Sequence, residues 1–93
     1  MYFVYILACS DNTLYVGLTK NIKNRFLQHQ TGESRSTKFR RPVTLKFVSI
    51  FYNRNLAAEF EQYLKTSSGR AFLRKRLVKQ KVSFVQNRNE DLV

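Results

Sequence analysis

Tryptophan is absent from this chain, cysteine, histidine and proline each occur once, and glycine occurs three times. The single Cys9 cannot close an internal disulfide. One cysteine and one histidine, His29, cannot by themselves furnish a zinc site. A reducing, cytoplasmic compartment is therefore expected. Long apolar runs are missing too, and nothing approaches the roughly 18–20 residues that a membrane span requires. The apolar start Met1 to Ala8 has no basic leader and meets Asp11 and Asn12 almost at once, so it reads as a strand and not as a signal peptide. No repeat, linker or low-complexity stretch is visible. The 93 residues read as one domain over 1–80, with a tail over 81–93.

Acid is the other scarcity. Six Asp and Glu stand against seventeen Lys and Arg, a formal charge of +11. So large an excess on so small a body repels itself and favours a polyanionic partner. Nucleic acid leads, with an acidic protein partner as the alternative. A membrane surface would want a basic amphipathic helix, whereas the basic residues here are spread over several segments.

What is present has a readable order. Met1 to Ala8, rich in Tyr, Phe, Val and Ile, is a buried strand. Cys9 to Asn12 is a turn. Thr13 to Thr19 alternates, with Leu14, Val16 and Leu18 on one face and Tyr15 and Gly17 on the other, which predicts an antiparallel hairpin. Asn21 caps a first helix that Gly32 stops, with Ile22 and Phe26 facing inward. Ser34 to Arg41 is a loop ended by Pro42. Val43 to Tyr52 is a third strand, with Leu45, Phe47 and Ser49 alternating against Lys46, Val48 and Ile50. Asn53 to Asn55 caps a second helix whose Leu56, Phe60 and Leu64 recur every four residues, with Ala57 in the seam. Thr66 to Gly69 breaks it. Arg70 to Lys79 is a third helix that turns Phe72, Leu73 and Leu77 inward and exposes Arg70, Arg74, Lys75, Arg76 and Lys79. The tail starts with alternation at Val82 and Phe84 and ends in a polar run. The order β-β-α-β-α-α is an α+β arrangement, a three-stranded sheet with helices covering it. Composition leaves the direction of the third strand open.

Several residues are not demanded by propensity. Tyr5 and Tyr15 fall roughly opposite each other across the hairpin. They are either ordinary strand aromatics or two phenols able to share a water or a phosphate oxygen. Gly17 inside a strand marks a bulge or a close approach, such as room for a ligand beside a phenol. Arg25 and His29, four apart, project from one helix face. That face borders the Ile22 and Phe26 stripe, and an Arg fork there suits a phosphate. Glu61 borders the Ala57 and Leu64 seam. It is either a solvated partner of Lys65 or a carboxylate for Mg²⁺, which takes one or two carboxylates plus water and phosphate oxygens. On the helical wheel Glu61 is expected to reach the sheet face carrying Tyr5 and Tyr15. Glu59, about 200° away, points elsewhere. Two phenols, an Arg, a His and a carboxylate in a phosphate-seeking body form a set suited to phosphodiester hydrolysis.

These residues resemble the GIY-YIG nucleases. Val4-Tyr5-Ile6 stands where that family has its first triplet, and Tyr15-Val16-Gly17 where it has its second. Asn24-Arg25-Phe26-Leu27-Gln28-His29 is similar to its Arg- and His-bearing helix. Ala57 with Glu61 and Leu64-Lys65 is similar to its metal-binding helix. The resemblance runs from about Tyr2 to Leu77 and is closest to small standalone bacterial members. It implies a three-stranded antiparallel sheet flanked by helices, and an endonuclease that cuts DNA with Mg²⁺ or Mn²⁺, of a kind at work in DNA repair. It implies that Tyr5 and Tyr15 hold or activate water, that Arg25 stabilises the pentavalent phosphate, that Glu61 binds the metal, and that His29 is a further polar contact or proton carrier. No small-molecule cofactor is implied. Val4 replaces the first Gly of the motif, Gln30 stands where Asn is frequent, and no acid lies near Ser49. Leu18 follows the second triplet where some members carry Lys, a role open to Lys20. With Lys20, the loop Lys38, Arg40 and Arg41 and the helical Arg70, Arg74 and Lys75 are the expected phosphate contacts. The competing reading is a non-catalytic DNA-binding module that keeps the fold, although such a module has no need of the Glu61 carboxylate.

Overall fold

The computed structural model describes residues 1–79. The elements are β1 (Tyr2–Ala8), β2 (Leu14–Thr19), α1 (Ile22–Thr31), a 3₁₀ turn (Lys38–Arg40), β3 (Thr44–Phe51), α2 (Arg54–Leu64), α3 (Ser67–Phe72) and a wider π turn (Leu73–Leu77). The sheet order is β2-β1-β3, and β1 pairs antiparallel with both neighbours. The direction of the third strand, open in the sequence, is thereby settled as antiparallel. The expected tail, with Val82 and Phe84, lies outside the described residues.

β1 is the centre of the molecule because its sequence is apolar on both faces, which suits only a strand covered on both sides. Val4, Tyr5, Ile6 and Leu7 are all buried. Val4 and Ile6 join Leu14 and Val16 on one face and meet Ala57, Leu64, Leu73 and Val78. Tyr5 and Leu7 join Cys9 and Val43 on the other, against Tyr15, Ile22, Phe26 and Leu45. Thus α1 covers one face, and α2 with the segment after it covers the other. Each fully buried aliphatic contributes roughly 1.5–3 kcal/mol. Helices of ten and eleven residues are marginal alone in water, so this packing, more than propensity, holds them.

The local signals work as chemistry requires. Asn21 and Asn53 each accept a hydrogen bond from the backbone N–H three residues on, at 3.0 Å, satisfying a donor the first turn leaves orphaned. Gly32 ends α1 with φ +89°, the left-handed conformation that glycine adopts without strain.

Five expectations need correcting. Tyr5 lies opposite Gly17, and Tyr15 opposite Leu7, so the phenols are diagonal neighbours on one face. The inward stripe of α2 runs through Ala57, Phe60 and Leu64. Leu56, a full 100° from Ala57 on the wheel, is 54 % exposed. The third helix starts at Ser67, because the Thr66 hydroxyl accepts from the Gly69 N–H at 3.0 Å and caps a new helix where a break was expected. Phe72 sits against Tyr63 and stays 38 % exposed. Finally, the register of β3 shifts between Ile6 and Leu7, which oppose Phe47 and Leu45. Lys46 is the extra residue of a bulge, so Leu45 and Phe47 face opposite sides.

Candidate active site

The face of the sheet under α1 brings together four of the expected residues. Tyr5 comes from β1, Tyr15 from β2, and Arg25 and His29 from one side of α1. The three rings form a compact triangle, with centroid separations of 6.2 Å (Tyr5–Tyr15), 5.6 Å (Tyr5–His29) and 5.0 Å (Tyr15–His29). Gly17 explains how they fit. A Cβ there would overlap the phenol end of the Tyr5 ring, so the missing side chain makes room for Tyr5 itself. Gly17 pairs regularly in the register. Neither a bulge nor a space for ligand is the reason for this glycine.

A hydrogen-bonded line runs through the cluster. Tyr5 Oη and His29 Nε2 are 2.8 Å apart, and His29 Nδ1 and Thr37 Oγ1 are 2.7 Å apart. His29 and Thr37 are both wholly buried. Either tautomer satisfies both contacts, since a phenol and a hydroxyl each donate or accept. A buried polar side chain left unpaired costs about 1–3 kcal/mol, so the line is also a packing requirement. Arg25 stands at the outer end. Its guanidinium donates to Gln28 Oε1 at 2.8 Å and to Ser34 Oγ at 3.4 Å.

Burial sets the charges. His29 is pushed down to about 4 by desolvation and then by the Arg25 charge, so it is neutral at neutral pH. Burial pushes Tyr5 up to about 12, although the neighbouring Arg25 guanidinium opposes the shift. Desolvation works against the Arg25 charge, but the two phenols outweigh it and its pKa is raised. The cluster thus holds one permanent cation beside uncharged hydrogen-bonding groups. Arg25 and Tyr15 are partly exposed, while Tyr5 and His29 are enclosed behind them. A ligand reaching this face meets Arg25 and Tyr15 first. His29, wholly buried, is bonded to Tyr5 Oη and Thr37 Oγ1.

Thr37 and Ser34 are not singled out by the sequence within the loop Ser34 to Arg41. Both are buried, and both hold members of the cluster. Their only sequence signal is position in a polar segment after His29, which periodicity does not detect. The basic residues of that loop divide by task. Arg40 donates to Thr13 Oγ1 at 3.0 Å and to the Ser36 carbonyl at 2.9 Å. Arg41 donates to the Lys38 carbonyl at 3.0 Å and more weakly to the Gln30 carbonyl at 3.4 Å. Both guanidiniums therefore brace the loop, and Lys38 is exposed. Arg70, Arg74 and Lys75 are exposed on α3 and the π turn. Lys20 lies with its ammonium 5.8 Å from the Tyr2 ring centroid.

Glu61 stands apart from the ring cluster. Its carboxylate accepts from Lys65 Nζ at 3.0 Å. Its neighbours Ala57 and Leu64 pack against Val4, Ile6, Leu14 and Val16, on the sheet face opposite Tyr5. The expectation that this seam would carry Glu61 onto the phenol face is therefore corrected. Alternation along β1 puts Tyr5 and its neighbours Val4 and Ile6 on opposite faces. Among the described residues no three His, Cys, Asp or Glu cluster for a metal. Glu61 is nevertheless the one described acid that is partly buried, Asp11, Glu33 and Glu59 all being exposed. A lone, half-buried carboxylate suits an ion that takes most of its ligands from water and phosphate. The donor set fits Mg²⁺ or Mn²⁺ in that restricted sense.

The comparisons with known proteins bear on the family and the fold. The family model of the GIY-YIG catalytic domain matches residues 1–76. A UPF0213 protein of Staphylococcus haemolyticus is 40 % identical over 68 residues, covering 72 % of this chain and 83 % of that one. The UPF0213 protein YsiG of Lactococcus lactis is 39 % identical over 87 residues, covering 92 % and 76 %. Among solved structures, the solution NMR structure of a UPF0213 protein from Bacillus halodurans superposes with a TM-score of 0.53 at 28 % identity, covering 81 % of this chain and 84 % of that one.

Proposed function

Because this chain belongs to the GIY-YIG family, whose members are typically endonucleases, we propose that it is a metal-dependent endonuclease that hydrolyses DNA phosphodiester bonds. The observation that carries the reading is the line from Tyr5 through neutral His29 to Thr37, with Arg25 at its mouth. Ordinary sheet aromatics need no buried histidine fixed at both nitrogens. A reaction that must orient a water beside an anionic phosphate gains from phenols held in fixed places with an uncharged histidine behind them.

In this reading the phosphate lies against Arg25, whose planar fork matches two of its oxygens and meets the charge that grows in the pentavalent state. Tyr15, at the surface, orients the attacking water. Tyr5 receives the water's hydrogen bond and is steadied from behind by His29, which stays uncharged and free to accept at Nε2. Thr37 holds the His29 ring in place through Nδ1 and accepts from it when Nε2 is the acceptor. Glu61 is the proposed ligand for Mg²⁺ or Mn²⁺; because α2 covers the sheet face opposite Tyr5, such an ion would supply Lewis-acid polarisation of the phosphoryl group only where the substrate rounds the sheet edge to meet both Glu61 and Arg25. Exposed Lys38, Arg70, Arg74, Lys75 and Lys20, with the outer edges of Arg40 and Arg41, provide the non-specific hold on the backbone.

The direct test is cleavage of supercoiled, branched and single-stranded DNA with and without Mg²⁺ or Mn²⁺. Activity that needs the metal and vanishes in Arg25→Ala supports the enzyme. A second reading, a DNA-binding module without catalysis, draws on the Glu61–Lys65 pair, which occupies the carboxylate a nuclease would use. Salt-sensitive binding with no cleavage under any metal would establish that second reading.

A further inference from the structure

Phe39 is 89 % exposed, at the crest of the 3₁₀ turn. A single exposed apolar side chain is common and decides nothing. Three further observations set this one apart. The first is its mount. The Arg40 N–H donates to the Thr37 carbonyl at 2.9 Å, and the Arg40 carbonyl accepts from the Ser10 N–H at 2.9 Å and from Ser10 Oγ at 3.1 Å. With the guanidinium braces of Arg40 and Arg41, the turn is fastened both to the β1–β2 turn and to the end of α1. The ring is therefore held out by a braced segment. The second is charge: the Lys38 ammonium lies 5.5 Å from the ring centroid, and Arg40 and Arg41 follow directly. The third is place. Phe39 comes two residues after Thr37, which is bonded to the histidine of the ring cluster.

An aromatic face set among cations on a braced turn is what a nucleobase stacks upon while its flanking phosphates are neutralised. We propose that Phe39 is a stacking platform for an unpaired base, so that the substrate class is DNA with an unstacked nucleotide near the cut, such as a flap or a junction between single strand and duplex. This rests on the reading of the chain as a DNA-acting protein. It adds that the chain reads structure in its substrate. A base inside an intact duplex has both faces occupied by its neighbours and cannot lie on Phe39 without being unstacked first. Stacking of this kind changes affinity by about 10- to 100-fold per base.

The chain contains no tryptophan, so Phe39→Trp installs a lone indole at the platform. The variant would be titrated, without divalent metal, with a paired duplex, the same duplex carrying a single-stranded flap, and the flap strand alone. Quenching by the flap and the single strand, with little from the duplex, is expected. Tyr52→Trp, comparably exposed just past the end of β3, should not be quenched by any of them. Phe39→Ala, at a site too exposed to disturb the fold, should lose about 10- to 100-fold in affinity for the flap and keep its affinity for the duplex. Equal quenching by duplex and flap, or an unchanged flap preference in Phe39→Ala, overturns the platform alone, provided salt-sensitive DNA binding remains. Absence of any binding to all three DNAs overturns the DNA reading with it.

Discussion

Tyr5 stands where a side chain of Gly17 would be: the phenol end of its ring fills the space directly above that glycine on the neighbouring strand. The second motif triplet therefore ends in glycine for the sake of the first triplet's tyrosine. Gly17→Ala has no left-handed backbone to strain, since Gly17 is not among the positive-φ residues. It should act by displacing the Tyr5 hydroxyl from His29. The expected result is a stably folded variant whose cleavage falls by at least the ~10²-fold typical of a displaced catalytic group, with salt-dependent DNA affinity near that of the parent. Unchanged cleavage would mean that Tyr5 need not occupy this place.

The pH dependence of stability follows from His29. Its folded pKa, about 4, lies below the ordinary 6.5, so between those values the unfolded chain binds the proton that the folded chain refuses. Stability is then full above about 6.5 and falls as the pH drops through 4. Thermal melts followed by circular dichroism from pH 8 to about pH 4 should show this decline, and His29→Gln should flatten it. A decline of equal size in both proteins would assign it to other groups.

Thr37→Val keeps the shape of the side chain and removes the hydroxyl. His29 Nδ1 is then left buried without its partner, at a cost of about 1–3 kcal/mol. If Thr37 acts only through packing, Thr37→Ser should be no better than valine. If it positions His29, serine should restore both the melting temperature and kcat, and the pH profile of kcat should move in valine alone.

Arg25→Lys retains the cation and loses the fork. Turnover should drop by roughly 10²–10³-fold while Kd for DNA changes little. Parallel losses in both would move Arg25 from the reacting phosphate to general binding.

Glu61→Gln keeps the shape of the side chain and removes the charge that Lys65 now pairs with. Metal-dependent cleavage should be abolished with the fold intact, whereas Glu59→Gln, on the exposed side of α2, should behave as the parent. Wild-type cleavage by Glu61→Gln in a preparation free of other nucleases would remove the metal role from this residue.

The legible parts of this chain are those governed by local rules. Asn21 and Asn53 announced their caps, Gly32 announced a stop, and the unbroken apolar run of β1 announced a strand covered on both sides. Tyr5, Tyr15, Arg25 and His29 could be gathered because period-2 and period-3.6 spacing puts them on defined faces. What the sequence hid depends on tertiary contact. Thr66 looked like a breaker and is a cap. Leu56 fitted a four-residue repeat, yet the stripe that meets the sheet passes through Ala57. Thr37 has no periodic signature, because a loop residue acquires its role from whatever its backbone is folded against. Glu61 was placed on the correct helix edge, but the helix lies on the other side of the sheet, and a helical wheel carries no information about which side that is.

The bulge at Lys46 gives β3 two allegiances. Before it, Val43 and Leu45 serve the core beneath α1; after it, Phe47 and Phe51 serve the core beneath α2. One continuous strand is therefore answerable to two separate packing environments, and the hinge between them is a single exposed lysine. Were the strand instead to run regularly with Lys46 taken into the pairing, everything on one side of it would shift phase by half a pleat, turning apolar side chains outward without altering the composition of the strand. The spacing from Pro42 to Phe51 is thus as much a specification of this fold as the residues that occupy it.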